Sequence, residues 1–405
     1  MLDATLIGLG SMLGAGIFAA FAPAARAAGA GLLIGLALAG VVAYCNATAS
    51  AQLAAVYPTS GGTYIYGRER LGEWWGFLAG WGFVVGKTAS CAAMALTFAS
   101  YVAPGYERPL GIAAVLMLSG VNYRGVTGTA RLTRVLVVVV VTALGLVVTA
   151  SLHGDANPSN LTAWAAGGWY GVLQSAGLLF FAFAGYARIA TMGEEVREPH
   201  RTIPRAVLVA LAIAMALYAL VAVAVLAVLG PDRLAASTAP LAESVRAGGW
   251  GWASPFVGIG AAAASLGALL ALIAGIGRTS LAMASHGDLP GWLAAVHPRF
   301  RIPHHAGVAL AIAVSVLVWI VDLRGAIGFS SLGVLIYYAI ANASAFTQPP
   351  EQRRWPRALQ GAGLTGCLIL AATLPPSAIL AGLGILALGI IYRHLSGTAR
   401  RTPPD

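Results

Sequence analysis

The chain has 405 residues, of which 59% are hydrophobic and 9% are charged, and its mean hydropathy is +0.80. Soluble domains average roughly 25% charged residues, so this composition excludes an ordinary soluble globular protein. The formal charge of +10 could indicate nucleic-acid binding, but the basic residues are distributed according to a membrane topology.

Twelve apolar segments recur along the chain, and crossing a bilayer takes about 20 residues. They predict an all-α integral membrane protein with no soluble domain, and the fourth and ninth are the shortest. The segments are residues 4–28, 31–56, 74–103, 109–123, 132–152, 169–192, 204–229, 252–284, 306–321, 325–346, 358–374 and 377–394.

The arginines fix the predicted orientation. With the N-terminus inside, 18 arginines fall in predicted cytoplasmic segments and 5 in predicted outer segments. The positive-inside rule therefore predicts that both termini lie in the cytoplasm. This asymmetry is topological, so we expect a multi-pass protein of the cytoplasmic (inner) membrane and no nucleic-acid partner.

The first segment contains the run Gly10-Ser11-Met12-Leu13-Gly14-Ala15-Gly16-Ile17-Phe18. Each glycine lowers helix propensity by about 1 kcal/mol relative to alanine. Broken helices persist in a bilayer only where the freed backbone is buried in protein or lines a cavity. The run therefore predicts a break that forms a binding site, and the alternative is close helix packing through small residues.

Lys87 is the only lysine of the chain and lies in the middle of the third segment. An ionisable side chain within the membrane is a functional hypothesis by default. Two functional roles are open: Lys87 titrates and couples transport to protons, or its ammonium group occupies a cation site and holds the helices together. The alternative is a side chain that extends toward the membrane surface.

The sixth segment contains a second candidate break, Phe180-Phe181-Ala182-Phe183-Ala184-Gly185-Tyr186. The first and sixth segments begin two consecutive groups of five. Interruptions at corresponding positions of two halves indicate an inverted-repeat transporter site. We therefore predict repeats over residues 1–152 (segments 1–5) and 169–346 (segments 6–10), with residues 358–394 (segments 11 and 12) outside them.

Further motifs occur in order with these two runs. They are the turn Tyr57-Pro58-Thr59-Ser60-Gly61-Gly62, the stretch from Glu194-Glu195-Val196 through Pro199 to Arg205, and Arg278 with Met283 and the turn Gly287-Asp288-Leu289-Pro290. In this order and spacing the motifs resemble the amino acid–polyamine–organocation (APC) superfamily of permeases over most of the chain. The resemblance implies a transporter and not an enzyme, with a LeuT-like 5+5 inverted-repeat fold, discontinuous helices 1 and 6, and alternating access.

The resemblance also implies roles for residues at the two breaks. Backbone amides of the first break would bind the carboxylate of an amino acid, and carbonyls of the second would bind its amino group. The implied binding residues are Gly14, Ala15, Gly16, Ile17, Phe180, Phe183, Ala184 and Gly185. Phe183 or Tyr186 would be an aromatic gate, and Arg188 is either an inner-gate partner of Glu194 or Glu195 or a positive-inside residue.

None of the 14 carboxylates lies in the middle of a segment, so a cationic side chain would find no counter-charge. Neutral amino acids are the expected substrates, and acidic ones are the alternative. We expect proton symport or exchange, with H+ as the coupling ion, and no cofactor, metal or obligate protein partner.

Two alternatives remain open. Some superfamily members carry a lysine in span five that stands in for sodium, but the matching position here is near Val140, so sodium would need hydroxyls such as Ser265. The second alternative is a substrate-sensing receptor on the same fold, although the chain offers no soluble output domain.

Overall fold

The computed structural model describes residues 2–58, 61–125, 130–154, 156–163, 167–190 and 198–399, and within these ranges the structure is helical and contains no β-strand. The predicted all-α class is confirmed for these residues. In chain order the helices are α1 (Leu2–Met12), α2 (Ala15–Ala19), α3 (Phe21–Ala28), α4 (Leu32–Val56), α5 (Thr63–Leu71), α6 (Glu73–Val102), α7 (Glu107–Tyr123), α8 (Ala130–His153), α9 (Gly168–Phe183), α10 (Ala187–Ala190), α11 (Pro199–Ala236), α12 (Pro240–Ala247), α13 (Ser254–Ser285), α14 (His304–Ile320), α15 (Leu323–Phe346), α16 (Arg357–Ala372) and α17 (Pro376–Ala399). Short 3₁₀ turns occupy Pro158–Leu161, Ala184–Tyr186, Gly251–Ala253, Gly291–Ala294 and Pro350–Gln352.

Each of the twelve predicted segments contains at least one of these helices. Seven helices in the described ranges are long and apolar enough to cross a membrane, and up to eight if the bent pair at the N-terminus counts as one span. The segments predicted to be shortest form helices of 17 residues each, α7 and α14. The described part of the chain therefore has the helices of a membrane protein with several spans.

Helices α4, α6 and α15 form the centre of the bundle. The apolar window of α15 is 78% buried within the protein, whereas that of α17 is only 17% buried. Glycines allow the central helices to approach closely: a Cβ added to Gly86 of α6 would lie 3.1 Å from the Cα of Gly333 of α15. Close approach of small residues is a common basis of helix association in membranes, and it fixes α6, which carries Lys87, in the core.

The connection between the seventh and eighth predicted segments departs from the sequence prediction. Residues 230–250, predicted as a connection, contain the end of α11 and the separate helix α12. Helix α11 bends at Gly230, whose φ of 70° lies in the left-handed region that glycine tolerates. Helix α12 buries Leu241 and Val245 against the bundle and thereby covers one end of it.

A cluster of charges joins three elements at the face predicted to be cytoplasmic. The Asp288 carboxylate, in the turn after α13, accepts hydrogen bonds from the Tyr64 hydroxyl at 2.8 Å and from Arg68 at 2.9 Å. Arg393 of α17 donates to the other carboxylate oxygen. Burial and the hydrogen bond to Asp288 raise the pKa of Tyr64, which therefore remains a neutral donor in this cluster.

Candidate functional site

The first helix is broken where the sequence predicts it. Helix α1 ends at Met12 and α2 begins at Ala15, with Gly14 between them in an extended conformation (φ −80°, ψ −153°). The first amides of a helix have no carbonyl partner within it, and no backbone acceptor is found among the described residues for the N–H groups of Ala15, Gly16 and Ile17. The segment also bends by 52° between α2 and α3.

The second break lies directly against the first. Helix α9 ends at Phe183, and a 3₁₀ turn over Ala184–Tyr186 leads into α10. A Cβ on Gly185 would overlap the carbonyl of Ser11 and lie 2.5 Å from the amide nitrogen of Met12. Gly185 therefore has no room for a side chain, because the turn after α9 crosses the end of α1 with their backbones in contact.

The second glycine of the first break has a packing role. A Cβ on Gly16 would lie 2.5 Å from the Cα of Ala182 in α9. The alternative of close helix packing therefore holds for Gly16, whatever its amide binds. A larger residue at this position would separate α2 from α9.

Tyrosines from other helices donate to the carbonyls that the breaks set free. The Tyr218 hydroxyl of α11 lies 2.5 Å from the carbonyl oxygen of Met12 and 2.9 Å from that of Ala182. A phenol has one O–H donor, so the two carbonyls share it. The Tyr338 hydroxyl of α15 donates to the carbonyl of Ala184 at 3.3 Å.

Lys87 also contacts the second break. Its side chain is only 6% exposed, and its ammonium nitrogen lies 3.4 Å from the carbonyl oxygen of Ala184. This distance exceeds the usual 2.7–3.2 Å of an N–H···O hydrogen bond. Among the residues that the structure describes, no carboxylate forms an ion pair with Lys87.

A cavity lies beside the crossing, between α1, α2, α6, α9 and α13. It has a volume of about 80 Å3, which is room for roughly five to eight water molecules. The charged residues that line it in the described part of the chain are three cations, Lys87, Arg188 and Arg278. No carboxylate is among these lining residues.

Packed contacts join the helices beyond one end of the cavity, and the cavity extends to an exposed residue at the other end. The Tyr101 hydroxyl of α6 donates to the carbonyl of Phe18 at 2.9 Å and accepts from the Leu241 amide of α12 at 3.2 Å. The Phe18 side chain is fully buried beside it. At the other end the cavity extends along α13 to the exposed Arg278, on the side predicted to be cytoplasmic.

The structure brings part of the predicted site together. Six of the predicted residues line the cavity: Gly14, Gly16, Lys87, Ala184, Gly185 and Arg188. Five others lie next to it and do not line it: Ala15, Ile17, Phe180, Phe183 and Tyr186. Glu194, predicted as a gate residue, and Glu195 lie outside the described residues.

The three aromatic residues predicted for the site, Phe180, Phe183 and Tyr186, pack in the core behind the cavity. The ring of Phe180 meets Tyr338 edge-on at 5.8 Å, and that of Phe183 meets Tyr218 at 5.0 Å. Tyr186 stacks on Tyr338 at 5.0 Å. Phe181 and Ala182, which were not predicted as site residues, line the cavity in their place.

Comparison with known proteins gives a consistent family match. A family model described as amino acid permease matches residues 1–393. The chain is 58% identical over 407 residues to an uncharacterized transporter of Mycobacterium tuberculosis, covering 99% of this chain and 92% of that protein.

Two more distant relatives carry substrate names. A branched-chain amino acid permease of Bacillus subtilis is 24% identical over 426 residues, with 97% of this chain and 91% of that protein covered. The chloroplastic cationic amino acid transporter 7 of Arabidopsis thaliana is 27% identical over 370 residues, with 84% and 63% covered.

Proposed function

The chain belongs to the amino acid permease family, a family of transporters and not of enzymes, and we propose that it carries amino acids across the cytoplasmic membrane by alternating access. The observation that carries this proposal is the cavity at the crossing of two broken helices. In inverted-repeat transporters, substrate sites lie near the bilayer midplane where two discontinuous helices meet.

We further propose twelve spans in a LeuT-like arrangement, with residues 1–152 and 169–346 as the two repeats and 358–394 outside them. The predicted sides of the membrane are consistent with the contacts of the described residues. Arg68, Asp288 and Arg393, all predicted to be cytoplasmic, meet in one cluster. On the opposite side Arg26 donates to the carbonyl of Ala235, and both residues lie in predicted outer segments.

Backbone groups at the breaks bind the amino acid itself in this proposal. The carboxylate accepts hydrogen bonds from the unpartnered amides at Ala15, Gly16 and Ile17, next to Gly14. Carbonyls near Phe180, Phe183 and Ala184, beside Gly185, receive the amino group. Because the rings of Phe180 and Phe183 point into the core, these residues would act through their backbone.

The gates follow from what encloses the cavity. In this proposal Tyr101, Phe18 and α12 close the outer end, and the described conformation faces the cytoplasm. At the inner end Arg188 lines the cavity, and we propose that it forms the inner gate with Glu194. Tyr186, which stacks on Tyr338, would move with the second break when one gate closes and the other opens.

The side chain of the substrate is neutral or acidic in this proposal. One relative is named a cationic amino acid transporter, which by similarity would suggest lysine or arginine. A cationic side chain needs an anionic partner when it leaves water, and the described lining residues offer cations only. The charge of the cavity therefore supports substrates without a cationic side chain.

Two kinds of coupling fit the site. Proton symport or exchange would use Lys87 as the group that changes its charge beside the substrate. Sodium symport is the second candidate, and one observation favours it: the hydroxyl of Ser265 in α13 is buried and has no hydrogen-bond partner in the described structure. A hydroxyl oxygen in that condition is able to serve as one ligand of a hard cation.

Counterflow in proteoliposomes tests the proposed function. Purified protein is reconstituted, loaded with one unlabelled amino acid at a time, and supplied with the labelled form outside, with and without gradients of protons or sodium. The proposal expects saturable counterflow for at least one amino acid. Binding without counterflow would instead indicate a substrate-sensing receptor. The absence of both binding and counterflow would reject an amino acid site.

A further inference from the structure

Lys87 is a buried cation that faces the cavity, and no described carboxylate forms an ion pair with it. Its ammonium group has three N–H donors, and the described residues supply one acceptor, the carbonyl of Ala184 at 3.4 Å. A charge removed from water is costly unless it is paired and hydrogen-bonded. One long bond to a neutral carbonyl does not meet that requirement.

The location of Lys87 determines what is able to pair with it. It lies on α6 in the bundle core and lines the cavity together with Gly14 and Gly16 of the first break and Ala184 of the second. A solute in this cavity is therefore within reach of the ammonium group. An anionic group on that solute would supply the missing partner.

A second, independent feature indicates that the anionic partner of Lys87 is a different group from the α-carboxylate of the substrate. The α-carboxylate common to all amino acids already has donors in the proposed site, the unpartnered amides at Ala15 to Ile17. Lys87 is not needed for that group. Its charge is available for a second anionic group, which in an amino acid is the side chain.

We propose that Lys87 is the counter-ion of a carboxylate on the substrate side chain, so that the transported amino acid is acidic. This inference rests on the proposed function and names its substrate class. The ammonium of Lys87 donates charge-assisted hydrogen bonds to the side-chain carboxylate, while the backbone of the first break binds the α-carboxylate. An amide side chain of the same shape offers one acceptor oxygen but no negative charge.

Matched acid and amide pairs test this inference in the counterflow assay. Aspartate is compared with asparagine, and glutamate with glutamine, because each pair differs in charge and hardly in size. In the unaltered protein we expect an acid to exchange about tenfold or more faster than its amide at low concentration, since hydrogen bonds to charged groups are worth roughly a factor of ten or more. Exchange of the amide or of alanine with no exchange of either acid would overturn the inference and leave the proposed function intact.

The variant Lys87→Gln tests whether this residue sets the preference. We expect the ratio of acid to amide exchange to fall by about tenfold, while exchange of the amide persists. Thr88→Val is the matched control, because Thr88 is the next residue of α6, bonds the carbonyl of Val84 in its own helix and does not line the cavity. The ratio of acid to amide exchange in Thr88→Val should equal that of the unaltered protein.

Other outcomes separate the roles open to Lys87. Equal losses of acid and amide exchange in Lys87→Gln would overturn the inference and assign Lys87 to coupling or to the shared α-carboxylate. Thermal unfolding shows whether Lys87→Gln folds. If it does not fold, two other results test the inference: the ratio of acid to amide exchange in the unaltered protein, and the partial retention of that ratio in Lys87→Arg. Absence of counterflow for every amino acid would reject the proposed function instead.

Discussion

The residues that hold the two breaks in place come from other helices. Tyr218 donates to carbonyls of both breaks, and Tyr338 and Lys87 donate to the carbonyl of Ala184. The sequence pointed to Lys87, since a single lysine stands out in an apolar segment. It did not point to the tyrosines, because many spans contain one and only the tertiary packing determines which hydroxyl reaches an unpaired carbonyl.

Tyr218→Phe is expected to destabilise the protein. The change leaves the carbonyls of Met12 and Ala182 without this donor in a buried place, at a cost of about 1–3 kcal/mol. Thermal unfolding in detergent should show a lower midpoint, and counterflow should decrease. Tyr44→Phe is the control, because Tyr44 is 41% exposed, and equal midpoints for the two variants would contradict the role of Tyr218.

Gly185→Ala is expected to abolish counterflow and lower the unfolding midpoint. The added methyl group would occupy the space of the Ser11–Met12 backbone and push the two breaks apart. Gly145→Ala in α8 is the matched control, because a Cβ there meets nothing within 4 Å, and alanine favours a helix. Near-normal counterflow in Gly185→Ala would mean that transport does not require the close backbone contact at Gly185.

Gly16 illustrates how far sequence reasoning reached at a single position. The glycine run correctly indicated a break between α1 and α2. The sequence left open whether Gly16 lines a site or packs helices; in the structure it lines the cavity and also packs α2 against α9, and its role in binding stays a prediction. A bulky substitution at Gly16 therefore cannot separate the two roles, because it would first displace α9.

Long apolar helices were predictable and short polar ones were not. The twelve apolar segments correspond to helices because crossing a bilayer demands long apolar runs. Helix α12 was missed because its eight residues, Pro240–Ala247, include Glu243 and Arg246 and resemble a loop in composition. Its local helix signals, Pro240 and Glu243 in the first turn and Arg246 in the last, are weak over eight residues, because isolated helices this short are marginal without tertiary packing.

The Asp288 cluster fastens α5, the end of α13 and α17 to one another, and Asp288→Asn should loosen this face. A fully buried pair that loses one partner costs about 3–5 kcal/mol, and we expect somewhat less here because Arg68 and Arg393 remain 16% and 17% exposed. The unfolding midpoint should fall clearly.

Glu73→Gln is the control for this prediction. Glu73 pairs with the same two arginines but is 74% exposed, and exposed pairs contribute about 0–1 kcal/mol. A larger loss of stability in Glu73→Gln than in Asp288→Asn would show that burial does not determine the strength of this cluster.

At the scale of the whole molecule, we propose a state that is closed at its outer end and accessible from the cytoplasm. The sequence predicts the topology, because arginines mark the cytoplasmic side, and this orientation stays a prediction. The sequence does not predict the state of the gates, since that state depends on contacts such as Tyr101 with Phe18 and Leu241, which join distant parts of the chain. The charge of the cavity likewise emerged only in three dimensions, and it is the basis for proposing acidic rather than neutral amino acids as substrates.

Reporter fusions test the predicted orientation. An even number of spans with a cytoplasmic N-terminus predicts a cytoplasmic C-terminus. A green fluorescent protein fused to the C-terminus should therefore fluoresce in bacterial cells, and alkaline phosphatase fused at the same place should be inactive. The reverse pair of results would require an odd number of spans or the opposite orientation.

Protection of the cavity by substrate is the most direct test of the central claim, which is that the transported amino acid binds where the two broken helices cross. In a variant lacking Cys45, Cys91 and Cys367, the change Ala271→Cys supplies one thiol at an exposed position of the cavity lining. Val296→Cys, in a connection predicted to be cytoplasmic and 47% exposed, is the control. We predict that an amino acid active in counterflow slows maleimide labelling of Ala271→Cys and leaves Val296→Cys unchanged; equal labelling of Ala271→Cys with and without that amino acid would contradict the claim.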